Sequence, residues 1–232
     1  MIFELVSLGG VPVWILLSLS VVSLGIFLER LFFYRRATID VGDFLEGIRS
    51  ALRRRNYAEA IHESSATGGP VGRVVRMAVT RHNHPRSHLR DMVQEAGQLE
   101  VPRIERRLGL LLAIAHIAPL LGILGTILGI LKSFVEVANL TGLATPTDLS
   151  QGVFTALITT AVGLVVAIPA YLMHGYLSSR ARRIIHDVER AGIEALHLVD
   201  EAGEDHDQTV VAINEGAFGG APQRPDEGSA TP

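Results

Sequence analysis

The sequence predicts an all-α integral membrane protein with three transmembrane helices, and the placement of its charged residues carries this prediction. The chain has 232 residues, of which 48% are hydrophobic and 19% are Asp, Glu, Lys or Arg. No charged residue falls within 5–28, 108–131 or 153–176. Each of these segments exceeds the roughly 20 residues that a helix needs to cross the ~30 Å hydrocarbon core of a bilayer.

The first span is predicted within residues 1–28, together with the N-terminal end of the chain. Its flanks differ from those of a cleaved secretory signal. Glu4 stands in place of a basic n-region, and Glu29 and Arg30 follow the apolar run where a small-residue cleavage site would lie. We therefore expect this segment to be retained as a transmembrane helix.

Residues 29–107 form the predicted cytoplasmic connector, a set of short helices separated by strong helix breakers. One helix is indicated by four apolar residues at helical spacing: Phe44, Leu45, Ile48 and Leu52. Asn56 and Glu59 are spaced as a capping box that begins a second helix, and Pro70 suits the first turn of a third. A fourth helix begins near Ser87 and is expected to extend the second span into the cytoplasm.

The second span is predicted at 108–134 and the third at 152–177, joined by a periplasmic loop at 135–151. A cytoplasmic helix at 178–199 follows the third span. Beyond it, residues 200–232 are acidic and then rich in Gly, Ala and Pro. Because they hold few large apolar side chains to offset the entropy of ordering, this tail is predicted to be disordered.

The basic residues predict the orientation of the spans. Of the 21 Lys and Arg residues, fifteen lie between the first two spans and five follow the third, which leaves Lys132. Because Lys and Arg accumulate on the cytoplasmic side, the N-terminus is expected outside, and the connector and the C-terminus inside. Lys132 lies at the outer end of the second span, where its long side chain can extend to the headgroups.

Composition excludes several kinds of site. The chain contains no cysteine, so it has no disulfide, no thiolate metal site and no cysteine nucleophile. His82, His84 and His88 are spaced closely, as in some metal sites, but their segment is rich in arginine and lacks carboxylate or thiolate support. We interpret it as a solvated loop, and we expect no metal, no cofactor and no nucleic-acid partner.

Small and weakly polar residues form one face on each of the second and third spans. The faces contain Ala115, Ala118, Gly122, Thr126, Gly129 and Ser133 on the second span, and Ala156, Thr160, Gly163, Ala167 and Ala170 on the third. Such faces let membrane helices approach closely, because packing and hydrogen bonds rather than hydrophobic transfer drive helix association in lipid. We expect these two faces to be contact surfaces.

Thr126 and Thr160 are predicted at similar depth in the bilayer, since a helix rises about 1.5 Å per residue. A threonine hydroxyl both donates and accepts hydrogen bonds. The pair can therefore hold water or steady a carboxylate, although neither hydroxyl can store a proton near neutral pH. The alternative is that each hydroxyl only bonds the carbonyl four residues earlier.

Two prolines and two histidines also lie within these spans. Pro119 and Pro169 are expected to kink their helices, because each removes one backbone hydrogen bond. His116 and His174 are titratable side chains near the inner interface. Contact with water or headgroups is the preferred interpretation of both, and a role in proton entry is the alternative.

Two longer stretches resemble the signatures of a known family. Residues 114–134, IAHIAPLLGILGTILGILKSF, resemble the APLLGLLGTVxGM signature of ExbB and TolQ proteins. Residues 156–170, ALITTAVGLVVAIPA, resemble the pattern ALxxTAxGLxxAIPA of the same proteins. The similarity covers roughly residues 11–190, with three spans in the family's order. The sequence is thus similar to the MotA/TolQ/ExbB proton channel family, in its ExbB/TolQ branch.

This resemblance implies a homo-oligomer, a pentamer in the family, whose second and third spans line a central pore. The pore is expected to enclose an ExbD- or TolR-like single-span partner with a transmembrane aspartate that carries the proton. A TonB- or TolA-like protein spanning the periplasm is the further expected partner, and membrane lipid surrounds the assembly.

The residues that the resemblance places along the proton pathway are Thr126, Thr160, Ser133, Thr159 and Thr155. Those expected at kinks and in helix packing are Pro119, Pro169, Gly122, Gly125, Gly129 and Gly163. Thr155 stands where well-studied family members carry a glutamate, so the transport charge is expected to come from the partner.

Three functional hypotheses follow. The first is a proton-conducting stator subunit of a motor in the bacterial inner membrane, which couples the proton-motive force to outer-membrane transport as ExbB does. TolQ-like envelope maintenance and cell division, or a specialised motility or secretion motor, are its variants. The second is a non-conducting membrane scaffold. The third, an intramembrane enzyme, lacks a nucleophile–base pair or metal-ligand set within the predicted spans, so the prediction is that the chain is not an enzyme.

Overall fold

The computed structural model describes residues 10–139 and 146–218, and every regular element in that part of the chain is an α-helix. Numbered in chain order, the described helices are α1 Gly10–Ala37, α2 Val41–Arg53, α3 Tyr57–Thr67, α4 Gly69–Thr80, α5 Arg86–Glu105, α6 Leu108–Asn139 and α7 Pro146–Phe218. Stretches long and apolar enough to cross a membrane lie in α1, α6 and α7. The all-α fold with three candidate membrane spans is therefore confirmed, while the homo-oligomer and its central pore stay predictions.

The helices divide between two compact units. The first contains Met1–Ile39 and Gln98–Asp187, and the second contains Asp40–Gly97 and Val188–Pro232. The three apolar stretches lie in the first unit, and the short helices α2, α3 and α4 lie in the second. Helices α5 and α7 contribute residues to both units.

The core of the first unit lies where α1 packs along α6 and meets α7. Leu16 of α1 is fully buried together with Ala118 of α6, and Val166 and Ala167 of α7 complete the cluster. The other faces of these helices expose large apolar side chains, as at Val165, which is 69% exposed. Surfaces of this kind are unfavourable in water, so they suit lipid or a neighbouring subunit.

Side-chain caps begin two helices of the second unit. The Asp40 carboxylate accepts hydrogen bonds from the N–H groups of Gly42 and Asp43, at 3.0 and 3.3 Å, where α2 begins. The Asn56 side-chain oxygen accepts one from the Glu59 N–H at 3.1 Å, where α3 begins. Asn56 therefore caps α3, but the reciprocal bond of the predicted capping box is not formed, because the Asn56 N–H donates to the Ala51 carbonyl and Glu59 accepts from the Asn56 side-chain amide instead. Caps of this kind contribute about 1 kcal/mol each. The four apolar residues predicted to share a face of α2 are buried: Phe44, Leu45, Ile48 and Leu52.

The far part of α7 belongs to the core of the second unit. At Gly192 an added Cβ atom would lie 3.2 Å from both Val74 of α4 and Val93 of α5, so these helices pass close to α7. Arg86 of α5 and Asp200 of α7 form an ion pair at 2.8 Å. Because Gly192 has no side chain, the valines can pack against the α7 backbone.

The three clustered histidines lie at the turn between α4 and α5 and at the start of α5. The His82 ring stacks on Tyr57, with ring centroids 4.0 Å apart, and its Nδ1 lies 3.0 Å from the Val79 carbonyl oxygen. The rings of His84 and His88 are 5.7 Å apart. Within the described residues no group of three His, Asp or Glu side chains is placed to hold a metal ion.

The loop predicted at 135–151 is largely helical in the structure. Helix α6 continues to Asn139 and α7 begins at Pro146, while residues 140–145 lie outside the described residues. Proline is favoured at the first position of a helix, because the N–H group that it lacks would have no helical partner there. The proline therefore marks the start of α7 rather than an extended loop.

The tail boundary predicted at residue 200 also differs from the structure. Helix α7 runs without interruption through 178–199 and on to Phe218. Residues 200–218 of the predicted tail are therefore helical in the structure, and residues 219–232 lie outside the described part of the chain. The average composition of the tail, acidic and rich in Gly, Ala and Pro, does not indicate this continuation of the helix.

Helix α5 leads into α6 through a break, which we call the joint, rather than as one continuous helix. α5 ends at Glu105 and α6 begins at Leu108, and Arg107 between them adopts a φ of 67°. Arg107 forms an ion pair with Glu29 of α1. At such a break the last carbonyls of the first helix lose their helical donors.

Two buried side chains of α1 donate hydrogen bonds to these carbonyls. The Tyr34 hydroxyl donates to the Ile104 carbonyl at 2.8 Å, and the Arg30 guanidinium donates to the Arg103 carbonyl at 3.3 Å. Tyr34 is 2% exposed and Arg30 is 4% exposed. The first span is therefore tied to the joint by hydrogen bonds that replace those of the interrupted helix.

Burial shifts the acid–base behaviour of both side chains, which lie beyond the apolar run ending at residue 28. Desolvation raises the pKa of Tyr34 from 10.0 to about 12. Desolvation also lowers the pKa of Arg30. The Tyr34 phenol therefore stays protonated, and continues to donate its hydrogen bond, into the alkaline range.

Replacing Tyr34 with Phe is expected to destabilise the protein by about 1–3 kcal/mol, because the buried Ile104 carbonyl loses its donor. The pKa of Tyr34 is raised in the folded state, so its contribution is complete below pH 10 and is lost as the pH rises toward about 12. The measurement is the difference in thermal midpoint between the wild type and Tyr34→Phe across this range. Tyr57→Phe is the control, and a difference that does not shrink with pH would contradict the assignment.

Candidate functional site

The hydroxyls of Thr126 on α6 and Thr160 on α7 form a direct hydrogen bond across the two helices. The Thr126 hydroxyl also lies 3.2 Å from the Gly122 carbonyl oxygen and 3.1 Å from that of Ala156. The Thr160 hydroxyl lies 3.2 Å from the same Gly122 carbonyl oxygen. The two residues that the sequence places at one depth are therefore in contact, and we call them the threonine pair.

The threonine pair has two ways to arrange its protons. Thr126 can donate to Thr160 while Thr160 donates to the Gly122 carbonyl. Alternatively, Thr160 can donate to Thr126 while Thr126 donates to the Ala156 carbonyl. Each hydroxyl carries one proton and accepts through its lone pairs, so both arrangements are satisfied and rotation of the hydroxyls exchanges them.

These contacts bear on the alternative that each hydroxyl only bonds its own helix. Thr126 does reach the carbonyl four residues earlier, that of Gly122. The bonds of Thr160, in contrast, go to Gly122 and Thr126 on the other helix. The carbonyl four residues before Thr160, that of Ala156, accepts from Thr126 instead. The pair is thus an interhelical connection as well as a local one.

Two further hydroxyls of the predicted pathway are more deeply buried than the pair. Thr159 is 2% exposed and lies 2.6 Å from the Ala156 carbonyl oxygen and 3.3 Å from that of Gly122. Ser133 is 4% exposed and donates to the carbonyl four residues earlier at 3.0 Å. Thr155 is partly exposed on α7. Thr159 therefore supports the contact between the helices, and the pore role of all three stays a prediction.

The predicted packing glycines lie where α6 and α7 pass closest. A Cβ atom added to Gly163 would lie 2.8 Å from the Ala118 carbonyl oxygen, and one added to Gly122 would lie 3.1 Å from the Thr160 Cα. These distances leave no room for a side chain, so the absence of one is what lets the backbones approach. Since Gly122 also supplies the carbonyl that both hydroxyls reach, packing and hydrogen bonding meet at this residue.

The other two glycines extend the contact. A Cβ atom on Gly129 would lie 2.9 Å from the Ala156 Cβ. On Gly125 it would lie 2.8 Å from the Thr159 hydroxyl oxygen and 3.3 Å from Pro12 of α1. Helix α1 therefore backs the site, which sequence reasoning missed. Pro12 and the buried Leu16 fall in a uniformly apolar run, and no periodicity there signals which side faces the other spans.

The prolines and histidines of these spans lie away from the threonine pair in sequence. Both α6 and α7 continue through Pro119 and Pro169, whose kinks stay predictions. His116 is exposed, with Nδ1 3.0 Å from the Leu112 carbonyl oxygen, and His174 is partly exposed. Neither histidine is hydrogen-bonded to the pair.

The site can orient and relay a charge but cannot supply one. The apolar runs of the three spans contain no Asp or Glu, and threonine does not ionise near neutral pH. A hydroxyl in a low-dielectric setting can nevertheless donate to an anion or accept from a protonated group. The arrangement therefore suits a charge that enters from outside the chain.

Replacing Gly163 with Ala is expected to destabilise the protein by about 1–3 kcal/mol, because overpacking at a close contact forces the backbones apart. Gly175→Ala on the same helix is the matched control, since a Cβ atom there meets nothing within 4 Å. That substitution is expected to stabilise α7 by about 0.5–1 kcal/mol through helix propensity. Thermal unfolding of the purified variants measures both, and equal effects at the two positions would contradict the close approach.

Known proteins share the part of the sequence that forms these helices. The MotA/TolQ/ExbB proton channel family matches residues 66–190, which include α6 and the apolar part of α7. Biopolymer transport protein exbB1 of Vibrio cholerae is 31% identical over 183 residues, covering 78% of this chain and 80% of that protein. Biopolymer transport protein ExbB of Aquifex aeolicus is 32% identical over 113 residues, covering 49% and 75%.

A third relative is a TolQ protein, whereas the first two are ExbB proteins. Tol-Pal system protein TolQ of Haemophilus influenzae is 35% identical over 88 residues, covering 38% of each chain. The predicted family is therefore confirmed by a match over more than half of the chain and by relatives that share most of their length with it. With its three candidate membrane spans, this chain belongs to the ExbB/TolQ branch of the MotA/TolQ/ExbB proton channel family.

Proposed function

We propose that the chain is the proton-conducting stator subunit of an ExbB-like motor in the bacterial inner membrane. In this proposal it works with an ExbD- or TolR-like partner to couple the proton-motive force to outer-membrane transport. The observation that carries the proposal is the threonine pair, Thr126 and Thr160, bonded between two helices at a contact built from glycines. Membership of a proton channel family and similarity to a biopolymer transport protein support it.

The threonine pair assists a carboxylate on the partner. When the carboxylate is ionised, one hydroxyl of the pair donates to it, which offsets part of the penalty for holding a charge in a low-dielectric pore. When the carboxylate is protonated, it donates to a hydroxyl oxygen, and the pair turns its own protons toward the carbonyls of Gly122 and Ala156. Both states of the carrier are then satisfied without movement of either helix.

The partner has to bring the charge because the membrane spans of this chain lack one. Their apolar runs contain no Asp or Glu, and Thr155 stands where the family resemblance implies a glutamate. One elementary charge crossing 100 mV releases about 2.3 kcal/mol. The chain therefore surrounds the charge-carrying partner. Because one proton releases so little free energy, each cycle of the motor uses several protons or divides its movement into small steps.

Assembly and orientation complete the proposal. A homo-oligomer, a pentamer on the family resemblance, would line a central pore with α6 and α7. The exposed apolar faces of these helices, such as Leu120 at 63%, are consistent with lipid and subunit contacts. The N-terminus is proposed to be periplasmic and the C-terminus cytoplasmic, because fifteen of the 21 Lys and Arg residues lie between the first two spans.

The second candidate within the same class is a TolQ-like motor for envelope maintenance. The similarity to the TolQ protein of Haemophilus influenzae supports this second candidate. The two candidates differ in their partners. Affinity purification of the chain from its own cells, followed by identification of the small single-span protein and the periplasmic protein that it contacts, separates a TonB-type system from a TolA-type system.

Replacing Thr126 or Thr160 with Val is expected to lower proton flux through the reconstituted complex at least about ten-fold, because hydrogen bonds to charged groups contribute about 1.5–3 kcal/mol. The measurement is acidification of vesicles that contain the chain and its aspartate-bearing partner under an imposed potential. Thr67→Val is the matched control, since its hydroxyl also donates to the carbonyl four residues earlier, at 2.9 Å, but lies outside the predicted spans.

The flux results can be interpreted only for variants that still assemble with the partner. If both valine variants assemble and conduct as the wild type does, the threonine pair does not line the pathway. If the wild-type complex assembles yet never conducts, the non-conducting scaffold is favoured instead. A loss of flux in Thr67→Val equal to that in Thr126→Val would also contradict the assignment.

A further inference from the structure

A pocket lies between α1 and α7 in the first unit, at the arginine-rich end of the apolar run of each helix. Its volume is about 290 Å³. Three lining residues come from α1, one follows its last residue and two come from α7: Leu31, Tyr34, Arg35, Thr38, Tyr176 and Arg180. The threonine pair does not contribute to it, so the pocket is separate from the proposed proton pathway.

The lining of the pocket is positively charged without compensation. It contains two arginines and no acidic residue. Within the described part of the chain, neither Arg35 nor Arg180 forms an ion pair. Two guanidinium groups that share one pocket repel each other, so an anion bound between them would be strongly favoured.

Aromatic contacts hold one of these guanidinium groups in place. The Arg180 guanidinium lies over the Tyr176 ring, 5.6 Å from its centroid, and donates to the Tyr176 hydroxyl at 3.3 Å. Phe27 also contacts this tyrosine, with its ring centroid 6.4 Å from that of Tyr176. Fixing the group in advance reduces the entropy lost when a ligand binds.

The hydrogen-bonding groups that remain in the pocket are mainly donors. The Tyr34 hydroxyl already donates to the Ile104 carbonyl, and the Thr38 hydroxyl donates to the Tyr34 carbonyl at 2.8 Å. The N–H groups of Arg35 and Arg180 are then the principal free donors. Planar guanidinium forks match the oxygens of phosphate, which they can bind in pairs.

The exposed side chains beside the pocket are apolar or aromatic. A phosphate ligand that also carries hydrocarbon chains would fit both the arginines and these side chains. On the same part of the helices, Phe32 is 68% exposed, Tyr171 is 60% exposed and Leu172 is 67% exposed. Tyrosines concentrate at the boundary between the hydrocarbon core and the headgroups. Basic pockets between transmembrane helices at this level suit anionic headgroups.

We propose that this pocket binds the phosphate of an anionic phospholipid headgroup in the leaflet at the arginine-rich end of the spans. Arg35 and Arg180 hold the phosphate oxygens, and the acyl chains lie along the exposed apolar faces of α1 and α7. Because Tyr34 lines the pocket and also caps the joint, the bound lipid fixes α1 beside the start of α6. This inference needs only that the helices span a membrane, so it stands apart from proton conduction.

The test is lipid binding by the full chain in an uncharged detergent, measured by native mass spectrometry. The probes are phosphatidylglycerol, phosphatidylcholine of the same acyl length, and inorganic phosphate. Each arginine near an anionic lipid contributes about five-fold in affinity, so Arg35→Gln/Arg180→Gln is expected to lose about 30-fold for phosphatidylglycerol. Arg36→Gln/Arg183→Gln removes the same charge at exposed positions outside the pocket and is expected to bind within a few-fold of the wild type.

Three results would overturn the proposal. Equal losses in the pocket and control variants would show attraction to surface charge in general. Equal binding of phosphatidylcholine would show that the charged headgroup is not recognised. Displacement of the lipid by millimolar inorganic phosphate would assign the site to a free anion. Should the double variant fail to fold, the exposed Arg35→Gln alone is expected to lose about five-fold, and unchanged binding would contradict the assignment.

Discussion

The close approach of α6 and α7 is the contact on which the rest of the site depends. Gly122 and Gly163 let the two backbones meet at a distance that no side chain would permit. Only at that distance can Thr160 reach the Gly122 carbonyl and Thr126 reach the Ala156 carbonyl. In lipid, where water cannot satisfy a polar group, these bonds both hold the helices together and keep two hydroxyls at one depth.

The first span plays a different part. Its inner face packs against α6 and α7, and its basic end caps the joint where α5 leads into α6. The break at the joint exposes carbonyls that a continuous helix would have used itself. Tyr34 and Arg30 replace the missing donors, so α1 stabilises the end of α5 at the joint. The same end of α1, with Tyr34 and Arg35, forms the pocket toward α7, so the structural contacts and the proposed lipid site lie within a few residues of each other.

Charge placement and small-residue spacing allowed much of this to be predicted. Long uncharged runs indicated the three spans, and glycine and threonine spacing indicated the face that joins α6 to α7. Pattern reasoning failed where the cause is tertiary. The joint depends on Tyr34 and Ile104, which are distant in sequence. The continuation of α7 to Phe218 is not indicated by the composition of the tail, which is acidic and rich in Gly, Ala and Pro. The cross-helix bond of Thr160 also required the structure, because back-bonding within α7 has the same sequence signature.

In the proposed function this chain houses a proton path, and its partner supplies the charge that moves along it. The most direct measurement is proton flux in vesicles that contain the chain alone, compared with vesicles that contain it together with its single-span partner. Flux is expected only when the partner is present, and it is expected to be lost when the transmembrane aspartate of the partner is replaced by asparagine. Sustained proton flux through the chain alone would show that the partner is not the source of the charge.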